Sequence, residues 1–187
     1  MFFPVDETTR RRARTPHELA MVNLLMINLL MLVVLLAGSF VQKGSALADY
    51  KLVGVLIPLA ISLAIVAFTF VESGKTAAGG PWFVAVHWKL ATGRYKILLI
   101  AYVAGAALIG LGWLLAQGQK DPGMAELMFI ALQRVAIAPI LIVLMALIML
   151  ESGSLGQAGR GEVPNGLVAR FPPPADLKGA ESELQTG

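Results

Sequence analysis

The sequence predicts an all-α integral membrane protein: four transmembrane helices in an antiparallel bundle, built as two repeated helical hairpins, with an interfacial amphipathic segment and a mobile C-terminal tail. Three observations carry this expectation. Apolar runs at residues 19–41, 52–71, 97–116 and 127–150 each approach the roughly 20 residues a helix needs to cross about 30 Å of hydrocarbon. The 187-residue chain is 57% hydrophobic and only 14% charged, with a mean hydropathy of +0.73, well outside the usual balance of soluble domains. Lipid offers backbone N–H and C=O groups no partner, so runs this apolar must close their hydrogen bonds internally as helices.

Residues 1–18 read as a basic cytoplasmic segment ending in a helix cap. Thr15-Pro16-His17-Glu18 supplies a capping hydroxyl, a proline at the first helical position and a glutamate three residues after the cap. No short apolar region lies near the start, so the first run is expected to be retained rather than cleaved. It continues to Gly38 and Ser39, and an outer loop follows at 42–51. After the second span, Ser73 to Pro81 break the pattern inside a cytoplasmic loop at 72–96. Within it, Trp82, Phe83, His87, Trp88, Lys89 and Arg94 suit a helix lying at the headgroup level, with its charges toward anionic lipid. The competing expectation is a plain extension of the third helix, bent at Gly93. A second outer loop, 117–126, precedes the fourth span. Residues 152–187, rich in Gly, Pro and polar side chains, bury too little apolar surface to offset ordering entropy.

Charge placement sets the orientation. Arg10, Arg11, Arg12 and Arg14 precede the first span, and Lys75, Lys89, Arg94 and Lys96 lie between the second and third, whereas the other side holds Lys43, Lys51 and Lys120. The positive-inside rule places both termini in the cytoplasm, as in a bacterial inner-membrane protein. The duplication rests on Pro58 and Pro139 inside the even-numbered spans, on Glu72-Ser73-Gly74 and Glu151-Ser152-Gly153 at their ends, and on His17 and His87 before the odd-numbered ones.

Few residues offer chemistry. Arg134, beside Gln133, is the charged residue within an apolar run, and a charge at bilayer depth costs at least about 2.5 kcal/mol unless paired or hydrated. Against a functional role, residues 135–150 nearly suffice to span alone, which would leave Arg134 reaching the outer headgroups. His17, Glu72, His87 and Glu151 all fall at one membrane edge, where they could converge on a divalent metal or form a proton-accepting cluster. The cap and ordinary helix-end charge explain them as well, so no catalytic, cofactor-binding or metal-ligating residue is assigned. Asn23, Asn28, Ser62, Thr69 and Tyr102 are expected to make interhelical hydrogen bonds worth roughly 0.6–2 kcal/mol each. Asn23 and Asn28, five apart, would stand about 140° apart on an α-helix and could not line one stripe, which weakens a channel reading. Ala60, Ala64 and Ala67, and Ala101, Gly105 and Gly112, sit at spacings that let helices approach closely.

Cysteine is absent, which excludes disulfides and thiolate chemistry. No histidine lies deep in a span to hold haem, and no phosphate-binding glycine motif, nucleophile elbow or HExxH occurs. The expected function is a non-enzymatic accessory or scaffold subunit of a larger inner-membrane complex. It would contact the bilayer, anionic lipid at its basic loop, and protein partners or further copies of itself through small-residue helix faces, with no nucleic acid. The competing class is a small oligomeric transporter or channel using Arg134, Gln133 and the membrane-edge carboxylates.

Overall fold

The computed structural model describes residues 1–38, 46–175 and 177, and those residues are helical apart from short turns and one isolated antiparallel bridge between Phe2 and Glu162. The helices are α1 (Glu7–Val22), which runs through a π-helical turn (Asn23–Asn28) into α2 (Leu29–Gly38), then α3 (Ala46–Gly79), α4 (Trp82–Gln117), α5 (Pro122–Arg160) and the short α6 (Asn165–Arg170). Among the described residues, four helical stretches are long and apolar enough to cross a membrane: Glu7–Ala37, Leu52–Gly79, Trp82–Gln117 and Pro122–Arg160. That is compatible with a multi-pass membrane protein.

Each helix outruns its apolar stretch. At about 1.5 Å per residue the 39 residues of α5 extend some 58 Å, far more than hydrocarbon requires. The expected loop at 72–96 therefore contracts to a turn at Gly80 and Pro81. The interfacial segment expected at 82–96 is instead the first part of a continuous α4, with no break at Gly93, and its Phe83, Val84, Val86 and Trp88 are buried. Those rings pack inside the protein, not among headgroups. The expected outer loop at 42–51 falls partly outside the described residues, as does the end of the expected tail.

The chain divides into two compact units, the first formed by residues 1–23, 63–95 and 148 onward, the second by 24–62 and 96–147. In the first unit, α1 starts earlier than the Thr15 cap suggested. Asp6 accepts from the backbone N–H of Thr9, and this bond holds its carboxyl below the usual carboxylate range. Pro16 lies inside the helix, Thr15 donates back to the Arg11 carbonyl at 3.3 Å, and Glu18 pairs with Arg14 at 3.3 Å in place of a capping box. Ala13, Pro16, His17 and Ala20 form its buried face, at the i, i+3, i+4, i+7 spacing of an amphipathic helix.

Residues 152–160, expected in a mobile tail, complete α5. The helix ends in a Schellman motif: Gly161 donates to the Ala158 carbonyl at 3.3 Å and Glu162 to Gln157 at 2.9 Å. Gly161 has φ +79°, and a Cβ there would also stand 2.8 Å from the Phe3 carbonyl oxygen, so both backbone and space require glycine. The N-terminal strand-like segment lies along this turn, with Phe3 donating to Gly161 at 2.8 Å and Val163 to Met1 at 2.9 Å. Phe3, Ala13, Phe83, Val84, Val86, Trp88, Ala158 and Val163 make the core beneath. Apolar residues scattered over three distant segments thus supply the burial that the tail's own composition lacks.

In the second unit, Gly105 and Gly112 of α4 meet α5: a Cβ at Gly105 would fall 2.3 Å from Ile140 Cδ1, and one at Gly112 3.0 Å from Leu132 Cβ. These glycines are used for close packing within the chain. Asn28, Ser62 and Tyr102 close a three-membered hydrogen-bond ring. Asn28 Nδ2 donates to Ser62 Oγ at 3.0 Å, Ser62 and Tyr102 hydroxyls meet at 2.8 Å, and the Tyr102 hydroxyl donates to Asn28 Oδ1. Thr69, expected to bond across helices, instead donates to Ile65 of its own helix at 2.9 Å.

The π-helical turn changes the geometry expected for Asn23 and Asn28. A separation of five residues is close to one turn when backbone bonds run from i to i+5, so both side chains turn inward, at 0% and 2% exposure. Asn23 Nδ2 then reaches the Tyr95 hydroxyl at 3.3 Å in the first unit.

Candidate functional site

The first unit buries a charged cluster drawn from three helices. His17 comes from α1, His87 and Arg94 from α4, and Glu151 and Ser154 from α5. Spacings of seven residues on α4 and three on α5 bring each pair to the same side of its helix. His17 and His87 are 0% exposed, and Glu151 and Ser154 1%.

Glu151 Oε2 is the hub. It lies 2.6 Å from His17 Nδ1 and 3.1 Å from Arg94 Nη1, while Arg94 Nη2 donates to Ser154 Oγ at 2.7 Å. On the far side of the imidazole, His17 Nε2 lies 2.9 Å from His87 Nδ1, with the two rings near perpendicular at 86°. His87 packs its other face on Phe83, ring centroids 4.8 Å apart.

Chemistry limits the protonation patterns. A carboxylate only accepts, so His17 Nδ1 carries a proton. With both imidazoles neutral, His17 Nε2 accepts from His87 Nδ1–H, and the Arg94–Glu151 pair leaves the cluster without net charge. One added proton reverses that bond: His17 becomes imidazolium, donates to Glu151 and to His87, and His87 carries its own proton on Nε2. His87 Nε2 is buried, with the backbone of Glu162 nearby.

The residues singled out by sequence separate into two groups. His17, His87 and Glu151 come together. Glu72 does not join them: its carboxylate is 27% exposed and bonds Lys75 on its own helix at 2.7 Å, so the two Glu-Ser-Gly sequences occupy unlike surroundings. Because the imidazole and carboxylate lone pairs are turned on one another, no three His, Asp, Glu or Cys side chains among the described residues are placed to hold a metal ion. Gln133 and Arg134 lie in the second unit, Gln133 at 3% exposure with Oε1 lacking a hydrogen bond, Arg134 exposed on the outside of α5. Adjacent residues stand about 100° apart on a helix, so they cannot both face inward.

Sequence reasoning treated Arg94 only as a loop cation and overlooked Ser154. The spacing His87–Arg94 and the pattern Glu151-x-x-Ser154 were the available signals, and both needed α4 and α5 to continue beyond their apolar runs. No family model, curated protein or solved structure matches the chain.

Proposed function

We propose that the chain is a non-enzymatic multi-pass membrane protein acting as an accessory or scaffold subunit of a larger inner-membrane complex, with both termini cytoplasmic. The observation that carries this reading is the closure of the buried charges. His17, His87 and Glu151, the ionisable side chains gathered between α1, α4 and α5, are bonded to one another at 0–1% exposure, as in a structural lock. On the outside, Ala60, Ala64 and Ala67 of α3 are all exposed, and Ile57, Ile61 and Phe68 beside them are exposed too. Such a small-residue face suits a partner helix or a second copy, and the basic residues Lys75, Lys89 and Lys96 suit anionic lipid.

Purification in mild detergent is expected to recover companions at stoichiometric levels, and Ala64→Leu is expected to release them. A monodisperse chain with no companion counts against the proposal. A second reading, a small oligomeric transporter, draws support from the unbonded, buried Oε1 of Gln133 beside Arg134. Reconstituted flux that disappears in Arg134→Leu would favour it over a scaffold.

A further inference from the structure

On the surface of the first unit, the α3–α4 turn, the start of α4 and the segment at the end of α6 line an open cavity of about 500 Å³, a volume typical of small-ligand sites. Its walls include Gly80, Trp82, Lys89, Arg170 and Phe171. We propose that this cavity binds a phosphate monoester, held by Lys89, Arg170 and the N-terminus of α4.

Lys89 Nζ stands 4.0 Å from the centre of the Phe171 ring and the Arg170 guanidinium 5.5 Å from it, so two cations converge on one aromatic side chain. Among the described residues no carboxylate lines the cavity, and neither cation is in a salt bridge. Both cations thus lie at one ring with no carboxylate among the described residues to neutralise them, and an anion in the cavity would meet two positive charges. The 36-residue α4 begins at Trp82 in the same wall, so the positive end of its dipole lies beside the cavity.

A phosphate monoester carries about −1.5 to −2 charge near neutral pH, enough to answer both cations, and its oxygens match the guanidinium fork. The wall is already fixed in place. Trp82 Nε1 donates to the Phe171 carbonyl at 3.1 Å, Phe171 N–H to Leu167 at 2.8 Å and Leu177 N–H to Pro174 at 3.0 Å, with three prolines stiffening the stretch between. Little ordering remains to be done on binding. The site shares Lys89 with the lipid contact of the scaffold reading but does not require that the chain be a scaffold.

The test uses the full chain in an uncharged maltoside detergent. Glycerol phosphate is titrated by calorimetry, and in parallel phosphatidic acid is added to the micelles, since the same phosphomonoester could be offered by a soluble metabolite or by a lipid headgroup. Saturable binding is expected, weakened roughly tenfold in Lys89→Gln and in Arg170→Gln, retained in Lys89→Arg and unchanged in Lys120→Gln, which lies outside the cavity. Binding of glycerol phosphate with that dependence assigns a soluble ligand; binding of phosphatidic acid alone with the same dependence assigns a lipid headgroup. Both support the site. Arg170 is exposed, so its variant carries the test if Lys89→Gln fails to fold. No saturable binding of either probe, or wild-type binding in both glutamine variants, overturns the proposal.

Discussion

Glu151→Gln keeps the shape of the hub side chain and removes its charge. In the native arrangement Oε2 takes two charge-assisted contacts, from His17 at 2.6 Å and Arg94 at 3.1 Å. Contacts to charged groups contribute about 1.5–3 kcal/mol each, and stripping one partner from a buried pair costs roughly 3–5 kcal/mol because the other charge stays buried. Arg94, at 13% side-chain exposure, would be that stranded charge. Glutamine still offers one acceptor oxygen, and Ser154 still holds Nη2, so the expected loss lies at the lower end, about 3 kcal/mol, or two decades in the unfolding equilibrium. Reversible unfolding in mixed micelles, followed by tryptophan fluorescence, reads it. Glu72→Gln is the comparator: its pair with Lys75 is half in solvent and should be worth less than about 1 kcal/mol. Adding Arg94→Met to Glu151→Gln should restore part of the stability, since the stranded charge goes too. Equal losses for Glu151→Gln and Glu72→Gln, or strictly additive losses in the double variant, would refute the reasoning.

His17→Phe strips both the carboxylate and the second imidazole of a partner and should cost more than about 3 kcal/mol, whereas His87→Phe keeps the ring against Phe83 and loses one bond, about 1 kcal/mol; the same unfolding assay should rank them in that order. On α4, Gly93 has nothing within 4 Å of an added Cβ, so Gly93→Ala should stabilise by about 0.5–1 kcal/mol, while Gly105→Leu, aimed at Ile140, should destabilise by about 1–3 kcal/mol. Asp6 has a lowered carboxyl pKa in the folded chain, so its contribution to α1 is complete above the unfolded value near 3.8 and is lost as pH falls through the lower folded one. Hydrogen exchange in the first turn of α1 should accelerate only below that range, and Asp6→Ala should abolish the pH step.

Apolar runs located all four membrane-length helices but not their ends, because hydropathy registers contact with lipid and says nothing of a helix that continues against protein. Residues 82–96 look amphipathic and headgroup-seeking until Phe3 and Val163, from the two ends of the chain, are brought against Phe83 and Val86. Gly161, which halts α5, lay in a stretch whose composition suggested disorder, and nothing in the sequence set it apart from the other glycines there. His17, His87 and Glu151 could be named from the sequence because histidine is rare here and the Glu-Ser-Gly ends recur. That same recurrence pointed equally to Glu72, and only the contacts of each carboxylate separate a lock from a surface pair. The inward turn of both asparagines depended on a π-helical turn that regular periodicity does not announce.

One carboxylate oxygen fastens three helices at a single point. Sliding α1 along its axis by one turn, about 5.4 Å, would carry the His17 contact out of hydrogen-bonding range, and moving α4 or α5 alone by as much would do the same to Arg94. A pull or push delivered to any one of these helix ends is therefore shared among all three, and they travel as a rigid tripod or come apart abruptly.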